Sequence, residues 1–310
     1  MKVPVNELLK LIELERLEVN LFRGIGTGGE TSTRIFGGHV IAQALASAYG
    51  TVENRVCHSL HAYFIRPGDP SIPVIYEVDK ARDGGSFTTR RVIAIQHGKQ
   101  IFNMSASFQV SEKGWEYQHK MPQVDTPENL EDRTDLRKSI LKNIPKKFQV
   151  DFIKPRPIEI REVQPRDILN PEPTSDINHL WFRMPGAKGL NLIKQQCLLA
   201  YASDINLLSS SLRPHGLTWF KGGIMTASLD HAMWFHNSTQ FNDWHLYTMD
   251  SPFTGGARGF SRGAIFDENG LLIASVAQEG LIRPMKIKDK KLNLKKFLPL
   301  IVIFVMSDIV

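Results

Sequence analysis

The hydrophobic pattern of this chain passes from helix-like to strand-like twice. Residues 38–49 are small or apolar on nearly every face, the composition of a helix buried all round. Residues 72–78, 90–95 and 101–110 then run rich in β-branched side chains, with partial alternation of apolar and polar positions, and predict strands. His97-Gly98 predicts the turn between the last two. The succession then returns. Residues 195–208 predict a second helix, and residues 226–236, 244–250, 257–267 and 271–282 predict strands. Asp267-Glu-Asn-Gly270 supplies a turn whose Asn-Gly pair suits a two-residue hairpin. A short helix over residues 6–14, with Asn6 as its N-cap, precedes everything else.

The two successions repeat each other in sequence as well as in pattern. Ser59-Leu-His-Ala-Tyr-Phe aligns with Ser228-Leu-Asp-His-Ala-Met-Trp-Phe once insertion in the second copy is allowed. Gly84-Gly85 aligns with Gly255-Gly256 and Arg91 with Arg262, each pair 171 residues apart. Ala106-Ser-Phe-Gln109 returns as Ala274-Ser-Val-Ala-Gln278. Kept order and spacing favour a tandem duplication. The implied organisation is an N-terminal domain over residues 1–111, a linker over 112–160 and a C-terminal domain over 161–284. The linker carries prolines and lysines with little periodicity. Residues 285–310 form a basic and then apolar tail.

Composition narrows the function classes. Of 310 residues, 42% are hydrophobic and 23% charged, as in an ordinary globular protein. The formal charge of +6 raises nucleic acid as a partner, but six lysines and two aspartates in residues 285–310 account for +4 of it. The body is nearly neutral, and no nucleic-acid partner is expected. Cys57 and Cys197 sit in apolar stretches, so no disulfide framework is indicated. No apolar run reaches the roughly 18 to 20 residues that span a bilayer. There is no P-loop, paired Cys-x-x-Cys or His cluster, so neither a metal nor another cofactor is expected.

The candidate chemistry lies in three segments of the second half. Asp204 ends Cys197-Leu-Leu-Ala-Tyr-Ala-Ser-Asp204, Ser228 opens Ser228-Leu-Asp-His-Ala-Met-Trp-Phe-His236, and Gln278 lies in Ala274-Ser-Val-Ala-Gln-Glu-Gly280. A carboxylate, a hydroxyl and a carboxamide can together hold a water and remove its proton. None is a strong nucleophile as it stands, so hydrolysis by activated water is the natural reading. Asp230 follows Ser228 by two residues, and strand alternation places both on one face, so Asp230 is expected to support the site. Its neighbour His231 would then point to the other face, which argues against a direct Asp230–His231 acid–base pair; it is kept as a second supporting candidate. Arg258 and Arg262, with Gly255 and Gly256, are candidates for a basic rim, as are Arg90 and Arg91 in the first half. His61 is expected to be a buried, hydrogen-bonded residue.

These segments resemble the acyl-CoA thioesterase II family, which includes bacterial thioesterase II and the peroxisomal acyl-CoA thioesterases of animals. The first half matches it too, in Leu21-Phe-Arg-Gly24, Phe36-Gly-Gly-His-Val-Ile-Ala-Gln-Ala44, Ser59-Leu-His-Ala-Tyr-Phe-Ile-Arg-Pro-Gly68 and Ala106-Ser-Phe-Gln109. The resemblance covers roughly residues 6–284. It implies an α+β fold, a tandem double hotdog in which each half is an antiparallel sheet wrapped round a central helix. It implies hydrolysis of fatty acyl-CoA to free fatty acid and coenzyme A, with Asp204 as base, Ser228 and Gln278 holding the water, and the basic rim meeting the phosphates of coenzyme A. Association into a homodimer or homotetramer is expected from hotdog relatives.

Two other functions are weighed against this one. A hotdog enoyl-CoA hydratase or hydroxyacyl dehydratase looks for a helix Asp followed five residues later by His, and here that residue is Ser209. A non-catalytic acyl-CoA-binding protein would be expected to have lost the trio. The resemblance also implies a peroxisomal location, with the cytoplasm as the alternative, because the chain ends in Ser-Asp-Ile-Val and not in Ser-Lys-Leu. The ten-residue apolar run 297–306 is too short to span a membrane and contains Pro299.

Overall fold

The computed structural model describes residues 5–27, 34–220 and 222–285. The tail beyond residue 285 lies outside them. The first half contains α1 (Asn6–Ile12), β1 (Glu15–Glu18), β2 (Leu21–Gly24), α2 (Gly37–Tyr49), β3 (Val56–Phe64), β4 (Val74–Asp83), β5 (Phe87–Gln96) and β6 (Lys99–Gln109). The connection contains the short helices α3 (Arg133–Ser139) and α4 (Lys146–Phe152). The second half contains β7 (Glu159–Glu162), β8 (Asn178–Arg183), α5 (Leu192–Ser203), a 3-10 segment (Leu207–His215), β9 (Ile224–Ser228), β10 (Asp230–Phe235), β11 (His245–Gly255), β12 (Arg258–Asp267) and β13 (Leu272–Pro284).

One antiparallel sheet runs through both halves in the order β1-β2-β4-β5-β6-β3-β10-β13-β12-β11-β8-β7, with β9 also paired to β13. The order reads the same from either edge. Each half contributes a curved sheet and one central helix, and the halves join edge to edge where β3 meets β10, with Leu60 opposite Met233. This is the double hotdog. The helix α2 is buried on 11 of its 13 residues, which is why its sequence carries no polar stripe. It packs against α5, and one core draws on both halves. A buried polar network ties them: Tyr49 donates to Oε1 of Gln196, whose Nε2 donates to the Cys57 carbonyl at 2.9 Å. Cys57 and Cys197 are buried free thiols.

Several expectations are corrected. Val5, not Asn6, is the N-cap of α1, and no side chain caps it. The second helix ends at Ser203 and not at residue 208, because Asn206 takes a left-handed φ of 63° that stops an α-helix. The connection is not structureless: Ile144, Phe148 and Phe152 make a small core of their own. The expected strand 226–236 is broken at Leu229 into β9 and β10. Gly255-Gly256 belongs to the β11–β12 hairpin, where Gly256 and Ala257 both adopt positive φ and Gly255 pairs with Arg258. The sheet register also revises the repeat. Arg91 lies opposite Ser105 and Arg262 opposite Ala277, which keeps Arg91 equivalent to Arg262. One step along, Arg90 lies opposite Ala106 and Ser261 opposite Gln278, so the counterpart of Gln278 is Ala106 and not Gln109.

Candidate active site

Asp204 is the C-cap of α5. The negative end of a helix dipole is a poor place for a carboxylate. The fold compensates by bringing the start of α2 to meet it: Oδ2 accepts from the backbone N–H of Gly38 at 2.8 Å. Two glycines make this approach possible. A Cβ on Gly37 would lie 2.5 Å from Oδ2 of Asp204, and one on Gly38 would lie 2.3 Å from the Tyr201 carbonyl oxygen.

Gln278 reaches the same point from β13. Its Nε2 lies 2.7 Å from Oδ1 of Asp204, 3.2 Å from Oγ of Ser228 and 3.3 Å from Nδ1 of His231. Its Oε1 is buried and, among the described residues, has no hydrogen-bond partner. Ser228 ends β9, opposite Gly280 of β13. The structure therefore brings Asp204, Ser228 and Gln278 into one cluster. A pocket of about 10 Å³ bounded by these three, Phe36, Asn206, Leu208 and Trp219 lies beside them. That is about the smallest polar space that admits a single water.

His231 joins the cluster, and the two supporting candidates exchange places. Its ring is fully buried, with Nε2 2.9 Å from Oγ of Ser203, whose own hydroxyl donates to the Ala200 carbonyl at 2.9 Å. With Nδ1 accepting from Gln278, the single ring proton sits on Nε2. Burial pushes the His231 pKa down to about 3, so the ring is neutral, and its 3.8 Å approach to Oδ1 of Asp204 is not an ion pair. Asp230 instead accepts from the backbone N–H of Glu279 at 2.6 Å, away from the trio. The expected shared face of Ser228 and Asp230 fails at Leu229. That residue donates to the Glu279 carbonyl and accepts from Phe64, each at 2.9 Å, and the kink resets the alternation.

Burial raises the pKa of Asp204 to about 6, against the opposing hydrogen bonds from Gln278 and Gly38. A buried carboxylate with a pKa near neutrality, beside a water-sized space, is suited to general-base work. No group of three or more His, Cys, Asp or Glu placed to hold a metal occurs among the described residues.

The arginines expected to form a rim are otherwise engaged. Arg258 pairs with Glu279 at 2.8 Å, and Arg262 forms a two-pronged pair with Asp250 at 2.9 and 2.6 Å. Arg90 is buried and bonded to Thr51 and Asp83, a structural role, whereas Arg91 is exposed. His61 is exposed and packs edge-on against Trp234, contrary to its expected burial.

Comparison with known proteins fits this geometry. The family model described as acyl-CoA thioesterase matches residues 150–281, and that described as acyl-CoA thioesterase N-terminal domain matches residues 28–109. The acyl-CoA thioesterase 2 of Haemophilus influenzae is 39% identical over 280 residues, covering 90% of this chain and 98% of that protein. The chain belongs to the acyl-CoA thioesterase family. It is accordingly a thioester hydrolase that converts acyl-CoA to fatty acid and coenzyme A. A crystal structure of acyl-CoA thioesterase II TesB2 from Mycobacterium marinum superposes with a TM-score of 0.73 at 40% identity, covering 89% of this chain and 98% of that one. A hot dog fold protein from Alicyclobacillus acidocaldarius superposes with a TM-score of 0.70 at 15% identity, covering 89% and 97%, a likeness of fold alone. Among the described residues no helix is long and apolar enough to cross a membrane.

Proposed function

We propose that Asp204, Ser228 and Gln278 carry the thioesterase chemistry of this chain, with a water held between them as the nucleophile. The observation that supports this reading most is the free acceptor of Gln278. While Nε2 of Gln278 donates to Asp204, Oε1 of the same amide is buried and, among the described residues, unpartnered, with lone pairs to spare. A water in the adjoining pocket can donate one hydrogen to Asp204 and the other to Oε1 of Gln278, and accept from the hydroxyl of Ser228. Its remaining lone pair is then aimed outward.

Attack on the thioester carbonyl forms the C–O bond as Asp204 takes the proton. Collapse breaks the C–S bond, and the protonated Asp204 returns the proton to the leaving thiolate. The products are the fatty acid and the free thiol of coenzyme A. The amino end of α2 at the site carries the positive pole of that helix and favours the negative charge that develops on the carbonyl oxygen. His231 acts through Gln278, whose amide it orients. The rest of the division stands with this reading: 1–111 and 161–284 as the two hotdog domains, 112–160 as the connection, and association into a dimer or tetramer.

Free thiol released from an acyl-CoA, read with a thiol reagent, tests the assignment. Asp204→Asn, Ser228→Ala and Gln278→Ala should each lower kcat more than they raise KM. An Asp204→Asn enzyme at wild-type rate removes Asp204 from the mechanism. For the compartment, we place the chain in the peroxisome on family resemblance, and fractionation of cells expressing it distinguishes this from the cytoplasm.

A further inference from the structure

Two larger cavities adjoin the water-sized pocket, and they differ in chemistry. One, of about 380 Å³, opens between α3, the loop 165–170 and the 3-10 segment. It shares Asn206 and Trp219 with the catalytic pocket. Four arginines line it, Arg133, Arg137, Arg166 and Arg213, against two acids, Glu162 and Asp167. Glu162 pairs with Arg133 at 2.9 Å, and Asp167 is exposed and occupied by the backbone N–H groups of Leu169 and Asn170. Arg133 is only 9% exposed and Arg213 only 3%. Among the described residues, Nη2 of Arg133 and Nη1 of Arg166 are buried without a hydrogen-bond partner.

Buried, crowded guanidinium groups are costly unless an anion meets them. The crowding is visible in their acidity. Burial, with Arg133 and Arg156 beside it, lowers Arg137 to about 9, and burial, with Arg213, lowers Arg166 to about 10. The second cavity, of about 210 Å³, shares Ser228 with the site and is walled by Ile35, Val40, Phe64, Ile101, Phe102 and Leu229. Of the two arginines at its edge, Arg66 donates to the Gln100 carbonyl at 2.7 Å and Arg34 is also partnered.

We infer that the arginine cavity receives the phosphate-bearing end of coenzyme A and the apolar cavity the acyl chain, so that the thioester lies across Asp204, Ser228 and Gln278. This rests on the thioesterase reading and deepens it. It assigns the anion-binding role to Arg133, through the Nη2 that Glu162 leaves free, and to Arg137, Arg166 and Arg213, in place of Arg258 and Arg262, which do not line the cavity. The planar fork of arginine matches phosphate oxygens two at a time. The 380 Å³ volume is within the range of ligand sites, and the mixture of arginines with Trp219 and Phe220 suits a polyanion attached to an organic stem.

The test uses the full chain with Arg166→Gln and Arg137→Gln, whose guanidinium contacts to protein carbonyls are long, at 3.5 Å each. Turnover is compared on an acyl-CoA and on the matching acyl-pantetheine thioester, which lacks the phosphates. The wild type should prefer the acyl-CoA. That preference in kcat/KM should fall about tenfold in each variant, the worth of one charge-assisted hydrogen bond. Calorimetric binding of desulfo-coenzyme A should weaken in parallel, and Arg166→Lys should fall between Gln and wild type. Binding is read without turnover, so it tests the cavity even if the thioesterase reading fails. An unchanged preference and unchanged binding in folded variants overturns the inference. Lost discrimination between plain and ω-carboxyacyl-CoA, with desulfo-coenzyme A binding intact, also overturns it, since the arginines would then read the far end of the acyl chain.

Discussion

Oδ2 of Asp204 accepts a 2.8 Å hydrogen bond from the backbone N–H of Gly38, a residue 166 positions earlier and in the other half of the duplication. The carboxylate comes from the second half and the helix amino end that receives it from the first. Neither half holds the site alone. The relationship is not repeated in the pseudo-symmetric position. The C-cap of α2 is Gly50 where that of α5 is Asp204, and Ala106 stands where the second half has Gln278. The first half supplies a helix start, and the second supplies the side chains.

Gly37→Ala should therefore damage turnover without damaging the fold. Alanine is the better helix former, so α2 should persist. The new methyl would sit 2.5 Å from Oδ2 of Asp204 and 3.0 Å from the ring of Phe64, and one of them must move. A displacement of about an ångström at a reacting group costs on the order of 10²-fold. Thiol release should fall by about that factor while circular dichroism stays unchanged. Wild-type turnover would show that the carboxylate tolerates displacement and that its seat on α2 is incidental.

Asp204, held at about 6 by burial, sets the acid limb of the rate profile. kcat/KM should fall below pH 6 with a slope of one and stay level above pH 7. Asp204→Asn should abolish the limb and reduce the plateau by about 10² to 10⁴-fold. Stability moves in the opposite sense to activity. The folded pKa lies above the ordinary aspartate value of 3.8, so the folded state binds more protons than the unfolded one between about pH 4 and 6. Stability from this residue is present below that window and lost as pH rises through it. Relative to wild type, the Asn variant should thus melt higher at pH 8 than at pH 4. Equal differences at both pH values would contradict a raised pKa.

Much of this arrangement was legible in the sequence, and what escaped has identifiable causes. The helix over 38–49 and the turns at His97-Gly98 and Asn269-Gly270 are local signals, and β5, β6, β12 and β13 fall close to their expected ranges. The kink at Leu229 is not local. It depends on simultaneous bonds to Glu279 and Phe64, and without it strand alternation assigns Asp230 and His231 to the wrong faces. The part played by Gly37-Gly38 was present as letters in Phe36-Gly-Gly-His39. Its meaning needs the end of α5, which lies more than 150 residues away. The arginine cavity draws on residues scattered from 133 to 220 in segments without periodicity, where pattern reading has nothing to hold. The trio itself was readable because it lies in three compact family-like blocks.

Gln278→Glu separates the role of the amide from that of mere occupancy. It places a second carboxylate about where Nε2 now lies, 2.7 Å from Oδ1 of Asp204, in a buried setting. Two carboxylates so close share a proton, and the pair should titrate with one apparent pKa well above that of Asp204 alone. The acid limb should move upward, leaving little activity at pH 7 and partial recovery at higher pH. Gln278→Ala should lose turnover at every pH. Ser228→Thr keeps the hydroxyl and should stay close to wild type, whereas Ser228→Ala should not. An unshifted limb in Gln278→Glu would mean that the two side chains do not share the site.

Arg90 and Arg262 should answer mutation differently, although both were candidates for the same basic rim. The Arg90 guanidinium is 2% exposed. It donates to the Thr51 hydroxyl at 2.9 Å and carbonyl at 3.0 Å, to the Arg82 carbonyl at 3.1 Å, and to Asp83 at 2.6 Å. Arg90→Ala leaves several of these acceptors unmet in the fold and should cost about 2–4 kcal/mol of stability. Arg262 lies at the surface and holds Asp250 in a solvated pair, so Arg262→Ala should change stability by about 0.5 kcal/mol or less. Neither substitution should raise KM for acyl-CoA in the protein that remains folded, because neither arginine lines the cavities beside the trio. Denaturant titration and steady-state kinetics on the two variants check both halves of the expectation. A severalfold rise in KM for Arg262→Ala, with stability intact, would return the surface arginine to the coenzyme A site.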